Sequence, residues 1–345
     1  MVNKKVVGFS IAATLVATLV ATLVLATLAL AFNGRSQTRS PRTAPPAEAL
    51  SFLPASDAVM LIDVRRLLNE TMPQILGGDK EKLAQANAEI DKFKSRTGVD
   101  PRAFDRVVLG VRYTYPNANT TKLETVAIAH GTFDAKALAA AARLAANGKY
   151  REEKYHGATI MLIGINDQMK VLGLWNMRVN ELAISALDAK TLALGNLSNV
   201  RAAIDAGKKG RANSELIALA SRDPKAVIGF GANLPRELMA NLNVGNDTIA
   251  KDANSIRQAY GSIGTTDTDV SLSLVARTDN AESAKNLSDT VTGLKQLGAI
   301  LIMRMAPARK ALAQSALDNL KITTRGNELE IKTQVAAITL ASVIK

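Results

Sequence analysis

The chain has 345 residues with 43 basic and 31 acidic side chains, a formal charge of +12, two histidines and no cysteine. This excludes a disulfide framework, a cysteine nucleophile, a cysteine-held metal and a lipid attached through cysteine. Seven Phe, five Tyr and one Trp are too few for the stacking platforms of a nucleic-acid surface, so no nucleic-acid partner is expected.

A short basic tail, residues 1–5, carries Lys4 and Lys5 and precedes an uncharged run, residues 6–32. As a helix at ~1.5 Å per residue this run is about 40 Å long, more than the ~30 Å hydrocarbon core of a bilayer requires. Ala29-Leu30-Ala31 has the form of a signal cleavage site, but the stretch exceeds the ~7–15 apolar residues of a cleaved signal. A transmembrane signal anchor is therefore expected over residues 6–32. Cations flank both ends, and the short basic tail is read as the cytoplasmic side, with the body outside. Ala13, Ala17 and Ala21 recur at every fourth position beside Thr14, Thr18 and Thr22, a face that suits helix self-association.

Residues 33–49 contain Pro41, Pro45 and Pro46 with almost no large apolar side chain, and read as a flexible linker. A first α+β domain is expected over residues 50–210 and a second over 222–345. Ala58 to Val64 reads as a short buried strand leading into helical sequence at Arg65, with Asp63 as cap. A helix from Asp79 to Arg96 stops at Gly98, and Asp100-Pro101 opens a short turn. Strands are expected near 106–114 and 123–131, then an alanine-rich helix 135–146 capped by Asp134. Strands near 158–165, 181–187 and 190–195 precede a helix from Ser198 to Ala206.

The pattern restarts near Asp223-Pro224 with a strand from Ala226 to Gly231 and a helix containing Glu237, Leu238 and Met239. Strands follow near 257–264 and 269–277. In the second, Val270, Leu272, Leu274 and Ala276 alternate with polar residues, the period of a sheet with one wetter face. Ala284, Leu287, Val291, Leu294 and Leu297 mark the buried face of a long helix that Pro307 interrupts. A hairpin around Gly326-Asn327 joins strands 320–325 and 328–335, and 336–344 reads as helix. The expected architecture is α+β: two loosely repeated units of antiparallel sheet, each covered by helices on one face.

No catalytic, cofactor-binding or metal site is assigned from these residues. His130 and His156 each neighbour a glycine at a strand end and lack a second ligand at metal spacing. Gly229-Phe230-Gly231 lies between a strand and a helix, but Leu234 stands where a dinucleotide fingerprint needs its third glycine. Gly77-Gly78-Asp79-Lys80 and Gly207-Lys208-Lys209-Gly210 lack the ending of a phosphate loop and read as turns. Asp267 and Asp269 are too few oxygens for calcium and read as a solvated turn. Of the +12 charge, about +8 belongs to the body, with clusters at 208–211 and 304–310; such a surface attracts anionic lipid or polysaccharide.

Three stretches, FLPASDAVMLIDVRR from Phe52 to Arg66, TGVDPRAFDRVV from Thr97 to Val108 and ALDAKTLALG from Ala186 to Gly195, carry a resemblance to an uncharacterised family of membrane-anchored bacterial envelope proteins. The resemblance covers most of residues 50–210 and fades in the second half. It implies a bacterial inner-membrane location with the body in the periplasm or outside. It brings no catalytic residues, because the family has no assigned activity. The expectation is a membrane-anchored protein that acts by binding an envelope partner or as a structural module. The alternatives are an envelope hydrolase with acids from strand ends, and a carrier of an apolar ligand held between sheet and helices.

Overall fold

The computed structural model describes residues 47–339 except 118–119, 147, 172–174, 210–213, 241–246, 267, 304, 306 and 338. The expected anchor (6–32), Asp267 and most of the helix expected at 336–344 lie outside the described residues; Ala336 itself ends a strand. Among the described residues no helix is long and apolar enough to cross a membrane.

The chain forms a mixed α+β fold around one twelve-stranded antiparallel sheet. After a short helix α1 (Ala47–Ser51), strand β1 (Ala58–Asp63) runs straight into a helical stretch α2, built from Val64–Arg66, Leu67–Thr71 and Met72–Leu76. Asp63 caps it as its sequence suggested, accepting the Arg66 N–H at 2.9 Å. The middle piece is π-helical: Pro73 has no N–H to give the preceding turn, and the turn widens. Helix α3 (Lys80–Thr97) begins at the Asp79 cap and ends on Gly98 at φ 72°, a left-handed C-cap. A 3₁₀ turn, Pro101–Ala103, leads into the hairpin β2 (Phe104–Asn117) and β3 (Thr120–Gly131).

Helix α4 (Ala135–Ala145) is followed by β4 (Tyr150–Tyr155), β5 (Ala158–Val171), β6 (Trp175–Ala186), β7 (Thr191–Gly195) and helix α5 (Leu197–Lys209). Gly207, Lys208 and Lys209 thus form the last turn of a helix, not the loop their composition suggested; Gly207 leaves room there for the Phe52 ring. Helix α6 (Ser214–Ala220) precedes β8 (Ala226–Asn233), α7 (Arg236–Ala240), α8 (Asp247–Ala253), β9 (Ile256–Thr265) and β10 (Asp269–Thr278). Helices α9 (Ala281–Ile302) and α10 (Pro307–Asp318) lead to the hairpin β11 (Lys321–Arg325) and β12 (Glu328–Ala336), turned by Gly326 at φ 58°.

The strand order is β11-β12-β10-β9-β8-β1-β2-β3-β7-β6-β5-β4. The two halves meet where β1 pairs with β8, Ala58 opposite Ala232 and Ile62 opposite Ile228. Read outward from that seam, both halves place three successive strands and then the second strand of a closing hairpin.

The expectation of helices on one face fails in the first half. Val59, Val126, Ile128 and Leu162 point to one side and pack with α1, α5 and α6; Ile62, Val107, Ala129 and Ile184 point to the other, under α2, α3 and α4. Strands buried on both faces carry apolar runs without alternation, as Val126 to Ala129 does. In the second half α9 and α10 cover the face shared with α2 to α4, while on the opposite face α6 packs over β8 and the buried Tyr260 and Val275 lie among polar side chains. The opposite face of β9, β10 and β12 presents Gln258, Ser262, Ser271, Ser273 and Arg277.

Candidate functional site

An apolar cavity of about 60 Å³ lies between the sheet and helices α3 and α4. Its floor crosses five adjacent strands, with Ile62 on β1, Val107 on β2, Ala129 on β3, Leu194 on β7 and Ile184 on β6. At ~4.8 Å between strands this floor is about 19 Å wide. Phe93 of α3 and Leu138 and Ala142 of α4 close the roof, and Phe104 sits at one end in a tilted pair with Phe133, centroids 4.7 Å apart.

The two roof helices are held differently. The C-terminal part of α3 is clamped to the 3₁₀ turn: Lys94 pairs with Asp100 at 2.8 Å, and Arg102 reaches Asp91 at 2.7 Å and Asn87 at 3.2 Å. The Lys94 hydrogen bond holds the Asp100 carboxyl below the ordinary aspartate range against the opposing effect of burial. Helix α4 is fixed at its start, where Asp134 accepts the N–H groups of Lys136 and Ala137 at 2.9 and 3.0 Å. Along its length it rests on the sheet through Ala135, Leu138, Ala139 and Ala142. Its Leu144 is 81% exposed. Near its C-terminal end an ion pair between Arg143 and Glu152 ties α4 to β4, so this helix is held at both ends and rests on methyl groups between them.

A second, wider concavity of about 850 Å³ opens at the strand ends, lined by the 132–136 and 186–190 segments and by His156 and Gly157. His156 and Gly157 form the two-residue turn of the β4–β5 hairpin with φ 48° and 87°, both positive as a type I′ turn requires. The His156 ring stacks on Tyr155, and both reach Asp205 of α5: His156 Nδ1 lies 2.7 Å from Oδ1, and the Tyr155 hydroxyl donates to Oδ2 at 2.9 Å. The carboxylates of this cleft are committed to backbone N–H groups, Asp134 at α4 and Asp188 to Lys190 at 2.7 Å. His130 does not line it; its Nδ1 meets Thr191 Oγ1 at 3.1 Å. Among the described residues that line the cleft, none sets a nucleophile against a base.

A third cluster lies on the polar face of the second half. Tyr260, 2% exposed, donates to Glu328 at 3.0 Å and lies beneath the guanidinium groups of Arg222 and Arg277 at 5.3 and 5.8 Å. Arg277 donates to Glu328 at 2.9 and 3.0 Å and to Gln258 at 2.6 Å. Burial pushes the Glu328 carboxyl up, but the hydrogen bonds from Arg277 and Tyr260 with the two guanidinium charges outweigh it and hold the group below its usual value. These groups satisfy one another and cross-link β9, β10 and β12.

The residues weighed in the sequence take structural places. Asp63 is a helix cap that also pairs with Arg106 at 3.4 Å. Gly229 and Gly231 face α6: a side chain at 229 would stand 1.8 Å from the Ala220 carbonyl, so these glycines admit a helix backbone. Asp269 accepts the Thr268 hydroxyl at 3.0 Å. Among the described residues no group of three or more His, Asp or Glu could hold a metal ion. Asp205, Arg277 and Glu328 escaped sequence reasoning because their partners lie 19 to 68 positions away and follow no local spacing.

No family model matches the chain, and no curated protein matches it. Among solved structures, crystal form III of TP0453 matches with a TM-score of 0.45 and 10% identity, over 88% of this chain and 99% of that one. Crystal form I of TP0453 gives 0.42 and 13% over 88% and 97%, and crystal form IV gives 0.42 and 11% over 86% and 95%.

Proposed function

We propose that the chain is a non-catalytic binding protein, anchored in the bacterial inner membrane by residues 6–32 with its body outside the cytoplasm, and that the body takes an apolar chain, such as a lipid tail, under α4. The observation that carries this reading is the cavity, whose lining side chains are wholly apolar. At about 60 Å³ it is far below the ~300–1,000 Å³ of a filled ligand pocket, so binding requires α4 to lift. Exposing Ala135, Leu138, Ala139 and Ala142 on the underside of α4 costs roughly 6 kcal/mol at about 0.8 kcal/mol per carbon. A tail of about a dozen methylenes gains roughly 10 kcal/mol on the same scale, enough to offset the opening. The alanines that would make α4 easy to displace are those that drew attention in the sequence.

The anchor and compartment rest on the length of the apolar run, the basic tail and the resemblance to envelope proteins. The matching outward strand order of the two halves supports an ancient duplication fused through one sheet. A hydrolase finds one observation in its favour, the His156–Asp205 pair at the cleft, but no nucleophile stands beside it among the described lining residues.

The test is titration of residues 47–345 with a dodecanoyl chain bearing a fluorophore, in parallel with protease treatment of intact and permeabilised cells carrying a C-terminally tagged full chain. Saturable binding near one tail per chain and digestion in the outer compartment are expected. Non-saturable binding would remove the cavity reading, and protection until the inner membrane is breached would remove the compartment.

A further inference from the structure

We infer that the C-terminal end of α9 with the start of α10 is a docking ridge for an anionic bilayer surface, independent of the cavity under α4. Helix α9 begins as an ordinary amphipathic helix: Ala284 and Leu287 are buried, and Leu287 and Val291 pack on Ala276 and Leu329 of the sheet. The sequence pattern continues the same apolar face through Leu294 and Leu297, but those side chains are 43% and 58% exposed. Beyond Val291 the helix leans on α10, where Leu317 lies beside Gly298 and Lys295 Nζ donates to the Leu320 carbonyl at 2.9 Å.

The last turns, Leu297-Gly298-Ala299-Ile300-Leu301-Ile302, are apolar all round. A helix of that kind belongs inside a core or a membrane. Here Ile302 is buried, while Ile300 is 54% exposed and Met303 and Met305, just past the helix, are 66% and 45% exposed. From Leu294 to Met303 the ridge is about 14 Å long at ~1.5 Å per residue. These five side chains are most of the large exposed apolar groups among the described residues, and all fall between positions 294 and 305, so exposed apolar surface is concentrated at this end of α9.

Charge decides the occupant. Between Asp289 and Asp318 the chain has no acidic residue and four cations, Lys295, Arg304, Arg309 and Lys310; Arg309 and Lys310 are exposed at the start of α10. An apolar ridge followed by the exposed cations Arg309 and Lys310 matches the headgroup region of an anionic bilayer, where each basic residue near the surface adds attraction and the apolar side chains enter the acyl boundary. A second copy is disfavoured, because a two-fold contact would set the same cations against each other. Reach is no obstacle: residues 33–46 can span up to about 50 Å, so a body tethered by residues 6–32 can lie against the membrane that holds it.

The absence of cysteine makes the test clean, since one introduced thiol is the only label site. The full chain is reconstituted in phosphatidylcholine vesicles with or without 30% phosphatidylglycerol, carrying a fluorophore on Ile300→Cys or, as an off-ridge control, Leu144→Cys. In anionic vesicles a lipid-borne quencher should quench the Ile300 site at least threefold more than the Leu144 site. Raising salt from 0.1 to 1 M, which shortens the screening length from about 10 to about 3 Å, should halve that difference. The double variant Arg309→Glu, Lys310→Glu should abolish the preference for anionic lipid while leaving the circular dichroism unchanged. Equal quenching at both sites, or equal quenching in neutral and anionic vesicles, overturns the proposal. So does shielding of Ile300 from aqueous iodide in detergent that rises with protein concentration, which would make the occupant a second copy.

Discussion

Replacing Ala142 by leucine adds three carbons to the roof of a cavity in which about 60 Å³ is empty. Burying them contributes about 2.4 kcal/mol at about 0.8 kcal/mol per carbon, whereas a misfit in a packed core costs about 1–3 kcal/mol. A water-sized body needs only ~10–15 Å³ of such space, so three carbons fit and the burial gain wins. Leucine is nearly as good a helix former as alanine, which leaves α4 itself unaffected. The ligand-free variant should therefore be about 1–2 kcal/mol more stable and melt a few degrees higher. The same side chain occupies the space a tail would enter, so the affinity for a dodecanoyl probe should fall about tenfold for each 1.4 kcal/mol of lost contact. Scanning calorimetry and fluorescence titration on one sample read both effects. A variant that melts lower and binds the probe as tightly as the parent would refute both the void and its role.

Gly229→Ala should cost more than about 3 kcal/mol or prevent folding, because the new methyl meets the Ala220 carbonyl, whereas Gly78→Ala, with nothing within 4 Å, should be neutral or stabilising by up to about 1 kcal/mol; denaturant midpoints compare the two. Asp134→Ala removes the cap of α4 and should cost about 1 kcal/mol while speeding probe entry in stopped-flow fluorescence, since the capped turn also anchors the lid. Burial first, then the charges of Asp57 and Tyr115, push the Tyr113 phenol up to about 12. A folded value above the unfolded one means that this stability is complete below pH ~10 and is lost as pH rises toward 12, by roughly 2–3 kcal/mol. Tyr113→Phe should flatten that alkaline decline in a plot of urea midpoint against pH, and an unchanged decline would assign it elsewhere.

Local signals were legible because their causes are local. Asp63, Asp79, Asp100 and Asp134 each stand one residue before a helical turn and each accept a backbone N–H there. Gly326-Asn327 turned the hairpin it suggested. Strand β4 left no such signal: Tyr150 to Tyr155 is mostly charged, as suits the outer edge of a sheet, and its pairing comes entirely from β5. Helices α6 and α8 are seven residues each, too short for periodicity to show. The joining of the halves into one sheet was hidden for a different reason. The edges of β1 and β8 carry no mark of their partner, and only the folded chain brings them together. The alanine-rich helix flagged the cavity's roof, but the floor is composed from five strands whose order no local pattern encodes. Leu294 and Leu297 misled for the same reason: their spacing states that they are apolar on one side, not that the sheet extends beneath them.

The β1–β8 seam also governs how the chain must assemble over time. Residues 58–62 pair with 228–232, so β1 finds its second neighbour only after most of the body has been made. At about 5–20 residues per second that delay is roughly ten to thirty seconds, during which β1 holds β2 on one side and presents bare N–H and C=O groups on the other. A neighbouring copy with a free β8 could fill the vacancy, and the resulting exchange would preserve every hydrogen bond of the monomer. Non-local closure of this kind also slows folding relative to a helical bundle of equal stability. Chains emerging side by side therefore face a competition between closing their own sheet and closing each other's. Emergence spaced widely enough lets each copy complete its own seam before it meets another.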